Sequence, residues 1–226
     1  MPSDATVSLL LGSAATLAAF HTLIGVDHSL PFIALGQARG WTLGRTLWVT
    51  AACGLVHVAS SVLIGTVGIG LGIAIDRLAS LESTRGRLAA WVMVGFGLAY
   101  AAWALWRRRA GLVSHFHCNG GASPAGGGAD AGGRTTTWAL FLVFAFGPCE
   151  ALIPLMMVPA ALRSWAVMLG VVAVFAVCTV GAMLCAVALG VLGLRRAHVL
   201  GLERHADLLA GLAVAASGAG VLLLGF

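Results

Sequence analysis

Apolar residues run along this chain in six long blocks, separated by short stretches where arginine, glycine and serine gather. The blocks extend roughly from Val7 to Leu35, Thr46 to Ile75, Leu88 to Leu105, Thr137 to Leu162, Trp165 to Leu194 and Leu208 to Phe226. A straight helix needs about 20 apolar residues to cross a bilayer. The third and sixth blocks are near that length, contain no buried charge and read as scaffold. The other four exceed it. Tilt absorbs part of the excess, and an interrupted helix absorbs the rest. Gly25 and Pro31 in the first block, and Gly147, Pro148 and Pro154 in the fourth, supply the residues that interrupt a helix.

The first interruption is also where polar chemistry enters. Within His21-Thr22-Leu23-Ile24-Gly25-Val26-Asp27-His28-Ser29-Leu30-Pro31-Phe32, two imidazoles and a carboxylate share one apolar block. An ionisable group at bilayer depth costs a few kcal/mol at least, so it usually faces a protein interior or a water-filled cavity. Imidazole nitrogen suits nickel, cobalt, zinc and copper, and a carboxylate adds charge compensation. The plainer reading is a polar cluster that joins two helices by hydrogen bonds. Transporters build midplane binding sites at such broken helices, which favours the ligand reading here.

His57 lies deep in the second block, beside Gly54, Ser60 and Ser61, small residues that let helices approach closely. It is either a packing residue or a ligand, and its distance from every expected loop favours the ligand. In the fourth block, Cys149 and Glu150 stand between prolines. Unwound backbone at that depth is tolerated only where it is buried in protein or lines a cavity. Met156 and Met157 follow; thioethers suit copper(I), although such methionines more often fill space.

Composition fixes the class. The chain is 60% hydrophobic and 9% charged, with a mean hydropathy of +0.99, the profile of an integral membrane protein. All 13 basic residues are arginine, mostly between blocks, which is a topology pattern and argues against nucleic-acid binding. Met1 to Ala19 lacks a basic leading region and reads as part of the first span rather than a cleaved signal. The five cysteines form no CxxC pair. Nine arginines follow blocks one, three and five, and four follow blocks two and four, so both termini are expected outside the cytoplasmic membrane.

The stretch from Arg107 to Thr136 is the one long link, expected in the cytoplasm. It carries His115, His117 and Cys118 ahead of a Gly/Ala tract of flexible-linker composition. That cluster is either a collector of soft or borderline metal ions or incidental to a disordered loop.

The halves match at a shift of 122 residues, which sets Gly25 on Gly147, Asp27 on Cys149, His28 on Glu150 and His57 on Thr179. The fold expected is an all-α membrane protein of six transmembrane helices, a 3+3 inverted-topology repeat with broken helices one and four. The divisions are 1–106, 107–136 and 137–226. An odd number of spans per repeat inverts the second copy and brings the two breaks together near the midplane.

At His21, Asp27, His28, Pro31 and Phe32 the sequence resembles the first-helix signature of UreH-like membrane proteins. These are related to the nickel/cobalt permeases and the HupE/UreJ group. The permeases place four residues between His and Asp-His, whereas five stand here. Gly147-Pro148-Cys149-Glu150 resembles the second-half break of the broader superfamily that includes the CcdA/DsbD electron carriers. The resemblance implies a metal-ion permease of the cytoplasmic membrane without enzymatic activity, with His21, Asp27, His28 and His57 in the ion path; the repeat, which brings the two breaks together, adds Cys149 and Glu150 to the expected metal site. The cargo would be a divalent ion, nickel or cobalt, with zinc or copper as alternatives. The partners implied are the lipid bilayer and either a metallochaperone or a second copy of the chain. Two alternatives stand beside it. One is a transmembrane thiol–disulfide carrier, disfavoured because Asp27 stands at the position matching Cys149. The other is an accessory protein that aids metalloenzyme maturation without transporting anything.

Overall fold

The computed structural model describes residues 3–110, 137–138, 141–145, 147, 149, 151–196 and 205–224. Among the described residues every regular element is helical. The elements are α1 (Asp4–Ile24), a 3-10 turn at Val26–His28, α2 (Leu30–Ala38), α3 (Leu43–Gly70), α4 (Ile75–Arg109), α5 (Leu152–Ala161), α6 (Trp165–Arg196) and α7 (Ala206–Leu224). Residues 141–145 are also helical. Among the described residues five helices, α1, α3, α4, α6 and α7, are long and apolar enough to cross a membrane. The chain is a multi-pass membrane protein.

The first block breaks where its glycine and proline stand. Ser3 caps α1 by accepting the Thr6 N–H, and Asp4 sits in the first turn, where the helix dipole favours negative charge. The helix ends at Ile24, and Gly25 turns to extended backbone, its N–H closing on the His21 carbonyl at 3.0 Å. After the 3-10 turn the chain restarts as α2, with Pro31 in the first turn, where its missing N–H costs nothing. The fourth block is interrupted in the same way. Helical residues 141–145 give way to a bend at Gly147 and irregular backbone at Cys149, and α5 begins at Leu152.

The third element departs from the expectation. The helix begins at Ile75 rather than near Leu88, so Arg77, Arg85 and Arg87 are helical, and the connection from α3 shrinks to 71–74. The charges that give 76–87 the look of a loop are compatible with a helix. Asp76 complements the dipole of the first turn, and Glu82 pairs with Arg85 at i,i+3. Nor is the region free of buried charge, since Glu82 is fully enclosed. At 35 residues α4 is about 52 Å long, well beyond a hydrocarbon core of about 30 Å. In α7, Asp207 lies in the first turn and accepts the Tyr100 hydroxyl of α4 at 2.7 Å.

Two apolar clusters hold the bundle. One centres on Phe32 and Leu35 of α2 with Cys53, Phe144 and Met183. The other centres on Leu152 and Met156 of α5 with Ala18, Cys149 and Phe175. Each short helix that follows a break therefore packs in the middle of its own core. The helices α4 and α7 meet backbone to backbone: a Cβ on Gly211 would fall 2.6 Å from the Ala101 nitrogen, and one on Gly218 would fall 2.7 Å from the Ala90 carbonyl. Small residues permit that approach, as they commonly do between membrane helices.

Candidate metal-binding site

Three imidazoles meet at the first break. His21 comes from the last turn of α1, His28 from the end of the 3-10 turn, and His57 from the middle of the 28-residue α3. The His28 ring lies edge-on to both of the others, with centroids 4.9 Å from His21 and 5.2 Å from His57. One nitrogen from each ring falls within 4.8 Å of the other two. His28 and His57 are each 3% exposed, so bulk water cannot satisfy them.

The break itself aims His28. Its backbone N–H returns to the Gly25 carbonyl at 3.1 Å. Its Nδ1 faces the same carbonyl at 3.3 Å and Asp27 Oδ1 at 3.1 Å. A neutral His28 that donates from Nδ1 to Asp27 turns its Nε2 lone pair toward the other imidazoles. This is the carboxylate–histidine arrangement that fixes tautomer and orientation in metal sites. The Nε2 atoms of His21 and His28 and both nitrogens of His57 are buried without a hydrogen-bond partner. The Phe144 carbonyl acts on the His57 ring but falls short of hydrogen-bond geometry. Buried polar atoms are nearly always paired, so the three that converge, one from each ring, make this cluster a candidate to hold a metal ion.

A cavity of about 370 Å³ opens onto this cluster. His21, Asp27, His28 and His57 form its polar end, and Phe144 and Gly147 bring the second break to its wall. Phe144 lies 6.4 Å from the His28 ring and 6.1 Å from the His57 ring, centroid to centroid. Much of the remaining surface is apolar, including Leu17 and Phe20 of α1 and Met93 of α4.

The sequence-derived site residues thus separate into groups. His21, His28 and His57 converge, and Asp27 supports His28 rather than standing among the convergent nitrogens. The extra residue between His21 and Asp27 does not remove His21 from the cluster. Cys149 is fully buried in the second core cluster, with its backbone N–H donating to Ser61 Oγ at 3.1 Å. Glu150, His115, His117 and Cys118 lie outside the described residues. Sequence reasoning missed Ser61, Glu82 and Arg85, which join α3 and α4 to the second break. The available signal was spacing: Glu82, Gly86, Ala89 and Met93 fall on one helical face, and the last three line the cavity.

No family model, curated protein or solved structure matches the chain.

Proposed function

We propose that the chain is a permease for a divalent transition-metal ion, nickel or cobalt by its resemblance to the permeases described above. The observation that carries this reading is the convergence of unpartnered imidazole nitrogens from His21, His28 and His57 within 4.8 Å of one another, deep among apolar helices. Three neutral nitrogen donors suit borderline ions. Asp27, bonded to His28, holds that ring in place and offsets the positive charge of the cargo. Metal-binding imidazoles must be deprotonated, so ion and proton compete, and proton coupling follows.

Alternating access is the transport scheme that fits the layout. The helices α2 and α5 begin 122 residues apart, at Leu30 and Leu152, and so do α3 and α6, at Leu43 and Trp165. The buried face of α3 recurs at the same shift in α6, pairing Val49 with Val171, Cys53 with Phe175, His57 with Thr179 and Ser61 with Met183. Each short helix ends in a residue or close neighbour with positive φ, Gly40 after α2 and Arg163 after α5. These regularities support the reading of two related halves in inverted orientation, with the fourth span completed by residues around the second break. A thiol–disulfide carrier needs two thiols that meet; Cys53 and Cys149 belong to separate core clusters, whereas Cys178 packs against the cluster that holds Cys149.

The deciding experiment is uptake by the purified protein in sealed vesicles. Nickel or cobalt should accumulate, magnesium should not, and acidification should weaken apparent affinity. Vesicles that accumulate neither ion would leave the accessory-protein reading in its place. The orientation is tested separately. Reporters after Phe226 should register outside and reporters near Gly127 inside, because arginines follow the odd-numbered spans in excess. The reverse pattern would overturn that assignment. Replacing His115, His117 and Cys118 together should slow uptake only at scarce metal. Loss of uptake at every concentration would place the main site in that loop.

A further inference from the structure

The second break is held by polar contacts in which the three imidazole rings take no part. Ser61, one turn beyond His57 on α3, accepts the Cys149 backbone N–H at 3.1 Å and donates to Glu82 Oε2 of α4 at 3.4 Å. A hydroxyl has one proton and two lone pairs, so both bonds are compatible. Glu82 is fully buried and ion-paired with Arg85. From that pair the guanidinium reaches Ser60 Oγ and the Ala145 carbonyl, each at 3.2 Å. Ala145 is the last of the described helical residues before the bend at Gly147, and near a helix end backbone carbonyls lose their helical partners. One network thus ties down a carbonyl before the break and an N–H within it.

Stability alone is a weak account of such a network. Replacing a buried ion pair with apolar residues is often neutral or stabilising. Its location is more informative. Between its two anchor points lies Gly147, which packs so closely that a Cβ there would sit 3.3 Å from His57 Nδ1. Arg85 is followed by Gly86, which lines the cavity, and its own side chain is 14% exposed where that of Glu82 is 0%.

We propose that Ser61, Glu82 and Arg85 form a clasp that positions the second break against His57 and thereby controls access to the ion site. These are positioning residues, since none contributes a nitrogen to the cluster. The transport consequence rests on the permease reading; the structural consequence does not.

The test uses the full chain with Cys149 as its only cysteine, after Cys53, Cys118, Cys178 and Cys185 are replaced by alanine, reconstituted in vesicles. Three quantities are measured: labelling of Cys149 by a membrane-permeant maleimide, nickel binding by chelator competition, and nickel uptake. Arg85→Met and Glu82→Gln should raise labelling by about tenfold or more. They should cut uptake about 10- to 100-fold, the usual cost of losing a group that orients ligands, and leave nickel binding within about threefold. Arg85→Lys keeps the charge without the planar fork and should fall between. The double variant Glu82→Gln/Arg85→Met leaves no unpaired buried charge, so it reports on the clasp even if a single variant fails to insert. Unchanged labelling in the double variant would overturn the clasp. Faster labelling with normal uptake would overturn its role in access, and binding that falls in proportion to uptake would make the network a general fold element. If the unmodified protein neither binds nor transports nickel, the permease reading fails while the labelling comparison still decides the clasp.

Discussion

His28→Ala is expected to reduce nickel or cobalt uptake to the level of protein-free vesicles, a loss of more than about 100-fold. Removal of an outer partner typically costs about 10- to 100-fold in affinity or activity, and His28 is more than that. Its ring is the one that contacts both of the others, at 4.9 Å and 5.2 Å between centroids, and it is the one oriented by Asp27. Without it the carboxylate has no ring to orient, and the ion keeps only His21 and His57. Asp27→Asn should be milder than His28→Ala, because the amide oxygen can still accept from Nδ1 although the charge is gone. The comparison is made by metal binding and uptake on variants that reach the membrane in normal amount. A His28→Ala protein that transports at the unmodified rate would defeat this site.

The second large effect should come from a single methyl group. A Cβ on Gly25 would fall 2.5 Å from His28 Nδ1, 2.8 Å from Asp27 Oδ1 and 2.9 Å from the His21 carbonyl. Three parts of the site occupy that space, and one of them is backbone that cannot swing aside. Gly25→Ala should therefore abolish metal binding and transport while the long helices still insert, since their apolar lengths are unchanged. Gly12→Ala, within α1, has nothing within 4 Å of the new carbon and should transport normally. Equal activity in the two variants would show that the turn at Gly25 is not what aims His28.

The turn was legible in the sequence because its causes are local. Gly25 and Pro31 state where the helix stops and restarts, and the observed break falls between them. The convergence of His21 with His28 was less so, because it depends on the angle at which α1 meets the 3-10 turn, which residue spacing does not encode. His57 could be suspected from depth alone, since it occurs at mid-helix in an apolar run. Glu82 and Arg85 could not. Their charges resemble those of any short loop, and only tertiary packing encloses one and hands the other to Ala145. The span after residue 136 was read from composition, and among the described residues it is represented by 137–138, 141–145, Gly147, Cys149 and the stretch through α5. Local punctuation was readable; partnerships across the bundle were not.

The contact between α4 and α7 bears on how the protein can move. Packed helices slide past one another by exchanging side-chain rotamers at their interface, and closure by shear consists of many such small exchanges. At Gly211 and Gly218 there are no side chains to exchange, and main chain lies against main chain. At those two points the pair offers little side-chain surface on which to slide. Motion is left to joints, places where a few residues change φ and ψ, and the chain provides one between Ile24 and Leu30. That joint carries His28 and follows His21, so whatever bends it also bends the site.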